Sequence, residues 1–395
     1  MLASDVESCD IVIIGAGPAG LAMARGLADT GLKIALVERL DEAVLANPPE
    51  DGRDIALTHA SERIMHDLGM WAHIPETSCG VIRDAKVVNG RSDYALHFAS
   101  ADSGKDYLGR IVPNYLIRKA AYLQVKDLEN VELISKARVV GAGTGEVRLE
   151  DGRVLRASLV IAADSRFSEV RRMMGIGALM NDFGRVVIVC EMRHELPHFE
   201  TATECFHYDR TLAILPMHGE VSSVVVTLPT DAAEALMQMP AAAFAADIQQ
   251  RFADRLGKME LLTKRVAYPL VGVYAKQFAA PRFALVGDAA VGMHPVTAHG
   301  YNLGLSGGAI LAREIKCALQ QGLDIGDIAV LRRYERAHDR VAHPLYLGTN
   351  ALVKLYTDTR LPAKILRKAA LRLGNALPMV RRGIVHQLTQ AGMRP

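Results

Sequence analysis

The chain has 395 residues, 50% of them hydrophobic and 23% charged, with a formal net charge of +2. That length holds a large core and more than one domain, and the near-neutral charge supplies no basic field for nucleic acid. The five cysteines (Cys9, Cys79, Cys190, Cys205, Cys317) form no CxxC pair, no basic-flanked leader opens the chain, and no segment approaches the roughly 20 apolar residues of a membrane span, which together predict a reduced, cytoplasmic protein.

The first predicted element is a strand at Ile11–Ile14, followed by Gly15, Gly17 and Gly20 and by an Ala/Leu/Met-rich helix over Pro18–Asp29 that Gly31 closes. This is the spacing of a βαβ dinucleotide fingerprint. Gly15 allows the tight turn, Gly17 lets the backbone approach a pyrophosphate, and Gly20 lets the helix pack on the strand. Pro18 and Ala19 open the helix, whose free N–H groups face the phosphates. A second strand, Lys33–Val37, ends at Glu38, 18 residues beyond Gly20, where an acid accepts ribose hydroxyls; Arg39 follows it.

A polar loop over residues 41–55 leads to Arg53, and Ser61–Leu68 is predicted helical. Val81–Ala99 alternates as strands do, Asn114–Leu123 is predicted as a helix, and Val131–Ala142 as a strand. Val147–Val154 forms a predicted hairpin with Asp151-Gly152 at its turn, and Leu159–Ala162 is an apolar strand running into Asp164. The next region is β-rich: Arg185–Arg193, Thr211–Pro216, Val221–Leu228 and Val266–Leu270, interrupted by a helix over Pro240–Leu256. This pattern predicts an antiparallel sheet inserted into an α/β nucleotide-binding domain. The expected division is a discontinuous cofactor domain (1–73, 106–178, 276–345), a substrate domain (74–105 and 179–275) and a C-terminal helical segment (346–395).

Residues 287–308, GDAAVGMHPVTAHGYNLGLSGG, form a second glycine cluster after the strand Phe283–Val286 and before a helix over Asn302–Gln320. Asp288 sits at a strand's carboxyl end, where open α/β sheets bind ligands. Gly300 allows a backbone approach, and the helix start presents N–H groups to a partly negative ring. Two anchors about 270 residues apart, one suited to a pyrophosphate and one to a ring, favour FAD over NAD. His294 and His299 have no third partner at metal-ligand spacing, so no metal is expected. His299 lies near the flavin and substrate or simply packs its loop; both readings stand at this level.

From Lys354 to Pro395 there are nine Lys or Arg against a single acid, Asp358, with Arg360, Lys364, Arg367 and Lys368 on one helix side. Such a helix lies on an anionic membrane surface or contacts a partner, or docks with a solvated face.

The succession of GAGPAG, AADSRFSEVRR (Ala162–Arg172) and GDAAVGMHPVTAHGYNLGL resembles the group A flavin monooxygenases of the para-hydroxybenzoate hydroxylase fold, and most closely their ubiquinone-biosynthesis branch of the broad-specificity demethoxyubiquinol hydroxylase type. The resemblance covers essentially the whole chain. It implies a GR2-type FAD domain, FAD as cofactor, NADPH or NADH as transient reductant, and ring hydroxylation of a polyprenyl phenol or demethoxyquinol by O₂ through a flavin C4a-hydroperoxide. It assigns Arg53 and Arg118 to the flavin surroundings and Asp164 to the pyrophosphate-side loops. It places Glu38 on the ribose and Asp288 on the ribityl or pyrophosphate region. Gly300, Tyr301 and Asn302 are expected to support the flavin ring by backbone contact, with Pro295 and His299 on its reactive side. A core salt bridge is the other reading for Arg53 or Asp288. Three departures stand out: Ser165 replaces the usual glycine after Asp164, His299 the usual glutamine, and Ser306-Gly307-Gly308 an acid. The alternatives are a prenyl-chain reductase of similar fold and a flavin-bearing docking component of a biosynthetic complex or homo-oligomer.

Overall fold

The computed structural model describes residues 6–89, 95–207, 210–294 and 299–357. β1 (Val6–Ile14) leads through the glycine turn into α1 (Pro18–Gly26) and β2 (Ile34–Val37). Ile11–Ile14 and Ile34–Val37 are buried throughout and pair in parallel, Ile11 opposite Ile34, as unbroken apolar runs in a doubly covered sheet do. β3 (Asp54–Leu57) is followed by α2 (His59–Asp67), capped by the Thr58 hydroxyl accepting from Ser61 N. β4 (Gly109–Pro113) pairs with β3 and runs directly into α3 (Asn114–Leu123). The segment expected as one strand over 131–142 is two. Val131–Ile134 pairs with β2, whereas Val139–Gly143 pairs with Glu146–Leu149, and Lys136 between them has φ +54, which interrupts the pleat.

β5 (Val154–Ala162) lies parallel to β1. β6 (Ala178–His194), β7 (Thr201–Phe206), β8 (Thr211–Pro216), β9 (Val221–Pro229) and β10 (Val266–Ala275) build the second sheet, in the order β10, β6, β9, β8, β7, then residues 84–89 and 95–99. Helices Thr230–Gln238 and Ala241–Arg251 cover one face of it, over a core that includes Ile188, Cys190, Ile214, Val224, Phe244 and Ile248. The helix expected to Leu256 stops at Arg251, where Ala253 and Asp254 take positive φ. β11 (Phe283–Leu285) returns to the first sheet beside β5. α4 (Gly300–Gln320) packs on α1, and α5 (Ile328–Thr357) packs on α4.

Within the first sheet β11, β5 and β1 are successive parallel neighbours. Their carboxyl ends therefore stand side by side, and these ends carry Asp288, Asp164 and the Gly15–Gly20 turn. Motifs separated by about 270 residues of sequence meet in one crevice, where open α/β sheets bind ligands.

Two elements lie across the expected divisions. Strand Gly80–Ile82 pairs with β4 in a three-stranded sheet with β3, so among the described residues of the 74–105 segment only 84–89 and 95–99 join the substrate sheet. α5 crosses the expected division at residue 345 without a break, because Val330, Leu331, Tyr334, Ala342, Leu345 and Tyr346 form one buried stripe along it. Pro295 and the basic tail from Asp358 lie outside the described residues. No helix among the described residues is long and apolar enough to cross a membrane.

Candidate active site

The first glycine turn is built by close approach. Gly15 has φ +103, and a Cβ on Gly20 would fall 1.8 Å from the Gly15 carbonyl oxygen. A Cβ on Gly17 would meet nothing within 4 Å, so this glycine faces open space at the start of α1. That helix begins with no side-chain cap, leaving its first N–H groups for an anion. Glu38, 8% exposed, accepts from Ala16 N at 2.7 Å through Oε2 and from Leu40 N at 2.9 Å through Oε1. Its remaining lone pairs are available to hydroxyls. Arg39 is exposed beside it.

Asp164 follows β5, with Oδ2 accepting from Val170 N at 3.2 Å, while Oδ1 is buried without a hydrogen-bond partner and burial raises the pKa of the carboxyl. Ser165, in the place where the family pattern has glycine, adopts φ +108, a conformation that side-chain-bearing residues rarely take. Arg166, which sequence reasoning passed over, donates to Asp288 Oδ2 from Nη2 at 2.9 Å and from Nε at 3.2 Å. Asp288 is thus paired, though with a residue neither motif singled out.

The second cluster packs equally closely. A Cβ on Gly304 would lie 3.1 Å from Gly287 Cα, whereas one on Gly300 would meet nothing within 4 Å. α4 also starts without a side-chain cap, from His299. The Asn302 side chain reaches back 246 residues: Nδ2 donates to the Ala56 carbonyl at 2.8 Å, and Oδ1 accepts from Thr58 N at 3.0 Å. The helix start is thereby bolted to the end of β3. The Tyr301 hydroxyl is buried without a hydrogen-bond partner, and burial pushes its pKa up. His299 is 4% exposed at this junction. His294 packs edge-on against Phe183 at 5.0 Å between centroids; burial, then Arg185 and Arg166, push its pKa down to about 4.

Arg53 donates to Asp51 Oδ2 from Nε at 3.0 Å and lies over the Tyr268 ring at 5.3 Å. Burial alone would raise the Asp51 pKa, but Arg53 outweighs it and holds the carboxyl below its usual value. Tyr268 donates to the Asp51 carbonyl, and Asn114 at the start of α3 donates to the Asp51 carboxylate. Burial raises the pKa of the Tyr268 hydroxyl, and Arg53 and Arg118 of α3 oppose that rise. The loop before β3 therefore joins Arg53, Arg118 and the substrate sheet.

Side chains alternate along each strand, and the structure decides which face of the substrate sheet turns to the cofactor domain. Ile188, Cys190 and Val224 point to the covering helices, so Val187, Val189 and Glu191 of β6 and Thr227, Val225 and Ser223 of β9, paired in that order, point the other way. Leu270 packs with Val187 and Val189, and a Cβ on Gly52 would lie 3.3 Å from Val189 Cγ2. The Asp51–Asp54 loop thus abuts this face. Arg185 borders it beside His294. The face is mainly apolar, with Glu191, Ser223 and Glu204 set into it and Asp54 set against it. Sequence reasoning named none of these four.

Open space at Gly17 and Gly300, two uncapped helix starts and a buried acid at the end of β2 fit one dinucleotide carrying a planar ring. The fold and site define a flavoprotein whose cofactor cradle faces a separate substrate sheet. Residues 8–345 match the family described as FAD binding domain. The chain is 48% identical over 388 residues to a ubiquinone hydroxylase, UbiM, of Neisseria meningitidis, covering 96% of this chain and 84% of that one. It is 35% identical over 364 residues to the ubiquinone hydroxylase UbiL of Rhodospirillum rubrum, covering 91% and 84%. It shares its fold with p-nitrophenol 4-monooxygenase PnpA of Pseudomonas putida, at TM-score 0.78 and 17% identity over 98% of this chain and 100% of the other. The chain belongs to the FAD-binding family of group A aromatic hydroxylases, in their ubiquinone-hydroxylase branch, and is a FAD-dependent monooxygenase.

Proposed function

We propose that this enzyme hydroxylates the aromatic ring of a polyprenylated phenol or demethoxyquinol in ubiquinone biosynthesis, using O₂ and NADPH or NADH. The observation that carries this reading is the apolar wall of Val187, Val189, Val225 and Leu270 facing the cofactor domain, which suits a greasy substrate and leaves little to hold a small charged acid. The 48% identity to a ubiquinone hydroxylase supports the same substrate class. Bound FAD supplies the oxygen-transfer chemistry. The chain's part is to hold the cofactor through Gly17, Glu38, Asp288 and the α4 start, to orient the ring against the Val187–Val189 face, and to keep water out. Arg53, Arg118 and Asp164 secure the surrounding loops, and His299 borders the reactive side. The basic segment from Lys354 supplies peripheral contact with the inner face of the cytoplasmic membrane; flotation with anionic but not neutral vesicles tests this.

The decisive experiment is product mass spectrometry from FAD-loaded protein with NADPH or NADH, ¹⁸O₂ and a short-chain 2-polyprenylphenol or demethoxyquinol. Gain of one ¹⁸O atom supports the reading. Gain of two hydrogens without ¹⁸O replaces it with a reductase.

A further inference from the structure

Two buried polar atoms meet where β3 abuts the substrate sheet. Asp54 Oδ2 and Ser223 Oγ are both shut off from solvent and lie beside each other, and among the described residues neither makes a hydrogen bond of full geometry. Asp54 opens β3, two residues before Ala56, whose carbonyl receives the Asn302 side chain at the start of α4. Ser223 lies on β9 opposite Glu191 of β6, on the face turned to the cofactor domain. The pair therefore sits between the ring end of the cofactor cradle and the substrate wall. A buried polar atom without a well-formed partner calls for an explanation, and a catalytic role is among them. The group that satisfies both is one that donates to the carboxylate and accepts from the serine: a hydroxyl.

We propose that Asp54 and Ser223 receive the ring hydroxyl of the phenolic substrate, Asp54 as its proton acceptor and Ser223 as a hydrogen-bond donor to the same oxygen. This rests on the substrate reading above. The proton passes from the phenol oxygen to Asp54 Oδ2, and the electron pair of the broken O–H bond stays on the oxygen and enriches the ring. The proton returns to that oxygen as the ring regains aromaticity, so the step consumes no oxidant or reductant.

The electrostatics suit the task. Burial pushes Asp54 up to about 7; Glu191 and Asp51 add to the rise, and the Ser223 hydroxyl opposes it. Tyr115 of α3 faces the same cluster, its pKa raised by burial, Glu50, Glu191 and Asp54. A phenol near 10 stands about 6 units above an ordinary carboxylate but only about 3 above one near 7, which brings acid and base closer to a workable match.

The test uses FAD-loaded protein and two probes, 2-geranylphenol and its methyl ether, with dissociation constants read from the bound-flavin spectrum. Wild type is expected to bind the phenol about tenfold more tightly than the ether, the equivalent of one charge-assisted hydrogen bond. Asp54→Leu should erase that preference, and Ser223→Ala should cut it about threefold. Single-turnover hydroxylation should fall below about pH 7 in wild type, and Asp54→Asn should abolish that limb while slowing turnover at least tenfold. An unchanged phenol preference in Asp54→Leu, or a retained acid limb in Asp54→Asn, overturns the assignment. Should Asp54→Leu lose its flavin, an unchanged preference in Ser223→Ala overturns it instead. If wild type binds phenol and ether equally, only the Asp54–Ser223 assignment falls. If it binds neither, the substrate reading falls with it.

Discussion

Arg166 donates to Asp288 across 2.9 Å, tying the segment after β5 to the turn after β11. The pair closes the crevice between two neighbouring strand ends, and it holds Asp288 oriented before any cofactor contact. Asp288→Ala is expected to weaken FAD binding at least tenfold, because it removes both the carboxylate and the anchor of Arg166. Equilibrium titration of the deflavinated protein with FAD measures this; full flavin retention at low free FAD would remove Asp288 from the cofactor site.

Gly17 and Gly20 separate cofactor binding from folding. Gly17 has φ −72 and ψ 177, which alanine adopts freely, and its Cβ would enter open space. Gly17→Ala should leave the thermal stability of the flavin-free protein within about 0.5 kcal/mol of wild type while lowering FAD affinity. Gly20→Ala drives a Cβ into the Gly15 backbone and should lower stability by about 1–3 kcal/mol even without FAD. Thermal denaturation with and without FAD separates the two effects.

Asn302 satisfies the Ala56 carbonyl and the Thr58 amide at once and is 1% exposed. Asn302→Leu leaves both backbone groups unpaired. A loss of about 2–4 kcal/mol is expected from two such groups, read as a lower denaturation midpoint. A midpoint equal to that of wild type would show that the helix start does not depend on this bolt.

Ser165 holds φ +108 where glycine is the unstrained residue. Relief of strain of roughly 1–3 kcal/mol, less the added freedom of glycine in the unfolded chain, predicts a net gain of about 1 kcal/mol for Ser165→Gly. Chemical denaturation is the check.

Glu204 lies on β7 beside Ala213 of β8, and burial pushes its carboxyl from 4.5 up to about 8, the Thr211 hydroxyl opposing. An acid whose pKa rises on folding keeps its proton in the folded state while the unfolded chain gives it up. Its contribution is therefore intact below about 4.5 and lost as pH rises towards about 8. Glu204→Gln should flatten this dependence and be more stable than wild type at pH 8, by on the order of a few kcal/mol. Equal slopes of stability against pH in the two proteins would refute the buried, protonated state.

The cofactor half was legible from sequence because its signals are local. Gly15, Gly17 and Gly20 lie within six residues, the strands around them are unbroken apolar runs, and backbone geometry fixes what such a turn can approach. The motif order sufficed for the family, and Ser165 already marked itself as a glycine position before its φ was known. Short or two-sided elements left no such trace. β3, β4 and β7 have four to six residues each, too few for a period to emerge, and α5 mixes its buried stripe with charge over 30 residues. The reacting side was decided only by tertiary structure. Which face of the substrate sheet meets the cofactor depends on β6–β9 register and on the two helices that cover the opposite face. Asp54, Glu191 and Ser223 acquire a shared environment only when strands separated by up to 169 residues come together. Burial, which sets the acidity of Asp54 and Glu204, belongs to the packed assembly and to no segment by itself.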